Sequence, residues 1–141
     1  MEGRPSNKKI RGPESGAVAV EFAILGPVFL VLFLGIMVWG QYFWIAHAVQ
    51  QLANDSARAA LAGLDGTERE ALARDTLTTE VGDYASLTTS ATTMSVEDRG
   101  DRMVVQVRYD TSAEGFRALT GLVPSPPPIV LRQATVRLGG Y

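Results

Sequence analysis

Apolar and polar positions divide this chain into a greasy rod and a patterned body. From Phe22 to Asn54 there is no Asp, Glu, Lys or Arg, and Phe22–Trp44 is nearly all apolar, interrupted by Gln41 and Tyr42 near its end. As a helix this run spans about 34 Å at about 1.5 Å per residue. That is enough to cross a hydrocarbon core of about 30 Å. A cleavable secretory signal has a shorter apolar core followed by small residues, whereas here Trp39, Tyr42, Phe43 and Trp44 follow. A buried core helix is the other alternative, but a helix apolar all round needs a large domain to hide in. Ile45–Leu64 continues in Ala and Leu without Pro, with Val49, Leu52, Ala53, Ala57, Ala60 and Leu61 near one face. The pattern predicts one helix from about Ser15 to Ala62, on the order of 70 Å. Gly63 is its stop signal and Gly26-Pro27 a kink within it.

The body alternates differently. Thr67 and Glu70 have capping-box spacing, Ala73, Leu77, Val81 and Tyr84 recur at helical intervals, and Gly82 marks the end of the helix. Leu87–Val96 is rich in Thr and Ser: either a polar linker or a strand with Met94 and Val96 on one side. Arg102–Tyr109 reads as a strand, with Met103, Val105, Val107 and Tyr109 facing one way. The charged stretch Glu97-Asp98-Arg99-Gly100-Asp101 would close a hairpin. Ile129–Leu138 is the third strand, with Ala134, Val136 and Leu138 inward; Arg132 breaks its alternation. Gly115–Val123 reads as a short amphipathic helix or loop with Phe116, Leu119 and Val123 on one face. Pro124-Ser125-Pro126-Pro127-Pro128 is extended chain, a stiff connector or a docking ligand. The expected fold is α+β: a transmembrane helix spine continuing outside the membrane, a second short helix, and a small antiparallel sheet of about three strands packed on the spine. The segments are 1–16 a basic leader, 17–44 the membrane half of the helix, 45–63 its outer half, and 64–141 an extracytoplasmic domain.

Charge sharpens this division. The 141-residue chain has a net charge of −2, but its first sixteen residues hold Arg4, Lys8, Lys9 and Arg11 against Glu2 and Glu14. The next basic residue is Arg58, so positive flanking charge predicts a cytoplasmic N-terminus and an outer body. Trp39, Tyr42, Phe43 and Trp44 would then form an aromatic belt at the outer interface. A nucleic-acid-binding basic face is excluded, and so is thiol, disulfide, Fe–S or thiolate–zinc chemistry, because there is no cysteine. With His47 as the single histidine, multi-histidine metal sites are excluded too.

The candidate chemistry lies at the junction Glu14-Ser15-Gly16-Ala17-Val18-Ala19-Val20-Glu21-Phe22. Glu21 is a carboxylate one turn into an apolar helix, where a charge is costly unless paired or near the headgroups. A helix N-terminus also favours negative charge, so its placement has a purely structural reading as well. The junction resembles the type IV pilin-like precursors, and Gly-Ala-Val-Ala-Val-Glu-Phe in particular resembles the TadE-like pseudopilins of the tight-adherence (Flp-type) pilus. Ala57-Arg58-Ala59-Ala60 and Leu131–Leu138 are similar to later pieces of that family. The resemblance implies a minor pseudopilin cut by a prepilin peptidase between Gly16 and Ala17. Glu21 and Phe22 become its fifth and sixth mature residues. It also implies that Glu21 meets the new α-amino group of Ala17 on a neighbouring pilin or pseudopilin subunit. The implied partners are membrane lipid, the peptidase, other pilin or pseudopilin subunits and pilus assembly proteins, with no nucleic acid and no small-molecule substrate. The implied location is the bacterial cytoplasmic membrane, with possible entry into the pilus.

Other motifs have weaker readings. Glu97, Asp98 and Asp101 are a calcium candidate, or the polar tip of a hairpin, since an oxygen cage takes six or more ligands. Arg99-Gly100-Asp101 spells an adhesion tripeptide in a place where a turn needs glycine anyway. His47 is a pH sensor or an interfacial side chain. The expected role is structural and non-enzymatic, with no cofactor. The alternative is an uncleaved single-pass accessory or sensor protein with a small binding domain.

Overall fold

The computed structural model describes residues 14–139. The basic residues Arg4 to Arg11 lie outside them. Helix α1, Glu14–Ala60, is a single 47-residue helix, about 70 Å long. It begins and ends within two residues of the expected bounds and runs on through Pro27. Its outer half presents Val38, Tyr42, Ile45, Val49, Leu52, Ser56 and Ala60 on one buried face, the spacing of a helical stripe.

The body wraps that stripe. Helix α2, Gly66–Glu80, buries Ala73 and Leu77. Val81 is buried beside them and Tyr84 packs at the edge. Its cap differs from the expected one: Asp65 is the N-cap, accepting from Glu68 N at 2.8 Å, while Glu68 Oε2 accepts from Leu64 N at 2.7 Å. The box therefore begins two residues before Thr67. The reason is the tight turn out of α1. A Cβ on Gly63 would lie 2.7 Å from the Arg69 backbone nitrogen, so glycine alone permits this approach.

Strands β1 (Thr92–Asp98), β2 (Arg102–Asp110) and β3 (Ile129–Arg137) form one antiparallel sheet in that order. The Thr/Ser stretch is thus part 3₁₀ turn, Thr89–Ala91, and part strand. Met103, Val105, Val107 and Tyr109 are all fully buried. Register sets Val96, Val105 and Ala134 in one inward row, and Met94, Val107 and Arg132 in the next. Arg132 therefore keeps the alternation instead of breaking it: Val130 and Ala134 are buried on either side and Arg132 is half-buried between them. Its long stem fills apolar space while the guanidinium bonds the Leu131 carbonyl at 2.8 Å. Gly115–Leu119 is a 3₁₀ turn seated by buried Phe116.

Two polar stitches hold the underside. Tyr109, buried, donates its hydroxyl to Glu114 Oε1 at 2.5 Å. Gln50 on α1 donates to the Gln133 carbonyl at 3.1 Å, tying the stem to β3. By contrast, Ser56 Oγ is fully buried and has no hydrogen-bond partner. A buried, unpaired hydroxyl costs about 1–3 kcal/mol. Ser56→Ala is therefore expected to raise thermal stability by about 1 kcal/mol; a lower melting temperature would refute this.

Candidate functional site at the N-terminal junction

Gly16 and Ala17 lie in the first turn of α1, which starts at Glu14. A helix repeats every 3.6 residues, so Ala17 and Glu21 share a face. Glu21 is exposed, as are Val18, Val20, Phe22 and Ile24 around it. It makes none of the ion pairs or side-chain hydrogen bonds found among the described residues. A Cβ at Gly16 would meet nothing within 4 Å. Contacts within the described chain therefore do not explain this glycine. The structure brings Gly16, Ala17, Glu21 and Phe22 together in two turns of helix and holds them apart from the body. From Ala17 to Asn54 the result is one carboxylate on an otherwise uncharged rod, near the positive end of a helix dipole.

The rod itself is a candidate membrane span by length and composition, and its apolar part is almost wholly exposed. The aromatic group divides between two environments. Tyr42 is buried and Trp39 packs against the core, while Phe43 and Trp44 are exposed. The body thus begins to pack on α1 from Leu34 and Val38, inside the aromatic segment.

Elsewhere, the acidic residues of the hairpin are each engaged. Glu97 bonds Arg99 at 2.9 Å, Asp101 bonds Arg102 at 3.1 Å, and Asp98 accepts from Gly100 N at 2.8 Å and faces Arg69 at 3.6 Å. Arg99 and Arg102 hold the carboxyls of Glu97 and Asp101 below the ordinary range. This is the arrangement of a polar hairpin tip, closed by Gly100 at φ 81°. His47 is exposed and lies 3.1 Å from Gln51 Nε2.

One arginine escaped the sequence reading. Arg117 donates to the Thr111 carbonyl and hydroxyl, the Ser125 hydroxyl, and the Pro126 and Pro127 carbonyls. The signal was a lone arginine ahead of a proline run that has no N–H donors of its own.

A second electrostatic feature lies where α2 meets α1. Burial first, then Asp55 and Asp83, push the Glu80 carboxyl above its ordinary value. A raised carboxyl stabilises the fold most below the ordinary carboxylate pKa, and that contribution is lost as pH rises through the folded value. Glu80→Gln is expected to raise the melting temperature at pH 7, with the gain vanishing near pH 4, about the ordinary carboxylate pKa. A gain that persists in acid would contradict this.

Residues 16–58 match the family model described as TadE-like protein. The match starts on Gly16, takes in Glu21 and Phe22, and ends at Arg58, before α2 and the sheet. No curated protein and no solved structure gives a significant match. On this segment, the junction and the stem that follows it, less than a third of the chain, the protein is similar to TadE-like proteins.

Proposed function

We propose that this pilus-associated chain is a minor pseudopilin: a structural, non-enzymatic subunit cut after Gly16 by a prepilin peptidase. In this reading α1 spans the cytoplasmic membrane with its N-terminus inside and the α+β body outside. The mature rod then leaves lipid for a bundle of similar helices. The observation that carries the reading is the exposed stem, whose one carboxylate between Ala17 and Asn54, Glu21, is unpaired among the described residues. Helices in lipid gain little hydrophobic energy by associating, so shape and charge must set their register. A carboxylate and the α-amino group of Ala17, each costly alone in a poor dielectric, become tolerable as a pair.

The cut site suits a protease that works at the membrane face. Peptide bonds are cleaved in extended conformation, so the first turn of α1 must open. Glycine disfavours helix by about 1 kcal/mol relative to Ala and presents no side chain.

Mass spectrometry of the purified N-terminus tests the proposal. A chain beginning at Ala17 is expected in cells with an active prepilin peptidase, and Gly16→Val should abolish that product. An intact residue 1–16 segment would instead support the uncleaved membrane accessory. A Gly16→Val product of unchanged mature length would place the cut elsewhere.

A further inference from the structure

The stem is too short to cross a bilayer without bringing the body down onto the lipid. Domain packing reaches Leu34 and Val38, leaving Ala17–Phe33 clear, about 25 Å of helix. The hydrocarbon core is about 30 Å thick. Ile36 and Met37 are also well exposed and need the same cover. A bilayer that covers the stem therefore extends to the level where the body begins.

The body's surface at that level carries one acid, Glu114, which is engaged by the Tyr109 hydroxyl, and is otherwise uncharged. Phe116 and Leu119 line one cavity with Met37, Gln41 and Trp44, which places the 3₁₀ turn beside the last apolar turns of the stem. The chain that follows has no Asp, Glu, Lys or Arg until Arg132. Leu122 is 64% exposed, and Pro124, Pro127 and Pro128 are exposed with it. The nearest cation, Arg117, turns back onto the strap.

Part of the backbone of this strap is already satisfied from within. Its prolines carry no N–H to desolvate. The Pro126 and Pro127 carbonyls accept from Arg117, and the Pro128 carbonyl accepts from Thr111. The remaining groups of the loop stay within reach of water and headgroups, because irregular backbone is barred only from the hydrocarbon core itself.

We propose that the loop 118–128 is a second membrane contact, a neutral foot. Leu122 enters the boundary between headgroups and acyl chains on the outer leaflet and fixes the height and rotation of the body about its stem. The inference rests on the membrane-spanning reading of α1.

The chain has no cysteine, so single-cysteine variants of the full chain each carry one fluorescent probe. Leu122→Cys, Leu30→Cys and Leu64→Cys are labelled with a polarity-sensitive dye. They are then reconstituted into phosphatidylethanolamine–phosphatidylglycerol vesicles. Leu64 is the control: it is 88% exposed in the turn between α1 and α2, far along the stem from Met37. The probe at 30 is expected to be quenched by nitroxides deep in the acyl chains. The probe at 122 should shift to the blue and be quenched by nitroxides near the headgroup, and the probe at 64 should remain aqueous. If 30 is quenched but 122 behaves like 64, the foot is overturned and the span stands. If 30 is not quenched, the span fails and the foot with it. A blue shift at 122 that appears only on adding another pilus protein assigns the loop to a protein partner and overturns the proposal.

Discussion

Glu21→Ala is expected to yield correctly trimmed, membrane-inserted protein that fails to assemble. Cleavage should be spared, because Glu21 lies more than a helical turn beyond the Gly16–Ala17 bond. Insertion should be easier, because the substitution removes a charge from the apolar rod. The loss falls on the contact between subunits. Removing one member of a buried ion pair costs about 3–5 kcal/mol, because the other member is left uncompensated. That weakens each association by roughly two orders of magnitude or more. Glu21→Gln keeps the shape and one acceptor oxygen and should fall between the two. Pilus output measured beside N-terminal mass spectrometry separates assembly from processing. Normal output from Glu21→Ala would end the pairing idea, even if the cut after Gly16 is verified.

The largest effect on the body is expected at Arg117. The strap Pro124–Pro128 offers acceptors but almost no donors. Arg117 supplies donors to Ser125 at 3.0 Å, Pro126 at 2.9 Å and Pro127 at 2.6 Å. It also reaches Thr111 at the end of β2. Thr111 in turn bonds the Pro128 carbonyl through both its amide and its hydroxyl, each at 2.8 Å. The two residues hold the strap against the sheet where β3 begins. Arg117→Met keeps the stem and removes every donor. Hydrogen bonds from a charged group contribute about 1.5–3 kcal/mol each, and water compensates the more exposed carbonyls. The net loss is about 2–4 kcal/mol, a fall in melting temperature on the order of 10 °C for a domain of this size. Arg117→Lys keeps the charge but lacks the planar fork, so it should recover only part of the loss. Thermal unfolding of the full chain in detergent is the measurement. An unchanged melting temperature for Arg117→Met would show that the strap is held by packing alone.

Several elements could be read from residue order because each rests on a local pattern. The uncharged run up to Asn54 made α1 legible almost to its ends, since only a helix satisfies its own backbone over such a length. Alternation from Arg102 to Tyr109, broken only by Val104, identified β2 and its inward face. The spacing of Ala73, Leu77 and Val81 identified the buried side of α2. The junction was legible for a different reason: a carboxylate in an apolar run stands out without any knowledge of its neighbours.

Other features depend on what lies across a gap. Thr67 and Asp65 both head plausible caps. The close approach of Gly63 to Arg69 selects Asp65, and no local rule contains that distance. Arg132 carries both a charged guanidinium and an aliphatic stem; the register opposite Val107 puts the residue on the inward face, half-buried. Tyr42 and Trp39 read as membrane-belt residues; packing against the body buries Tyr42 and half-buries Trp39. Arg117 carried no periodic signal at all.

What residue order alone determined is the division of labour: a greasy stem bearing one acid near its start, and a body with a second helical face and one clearly alternating strand, Arg102–Tyr109. These follow from periodicity and from the cost of isolated charge, both short-range quantities. Tertiary structure alone decided where the body grips the stem, which residue caps α2, which way Arg117 and Arg132 turn, and how little of the rod stands clear. Those outcomes depend on contacts between segments far apart in the chain, whose energies no local pattern records.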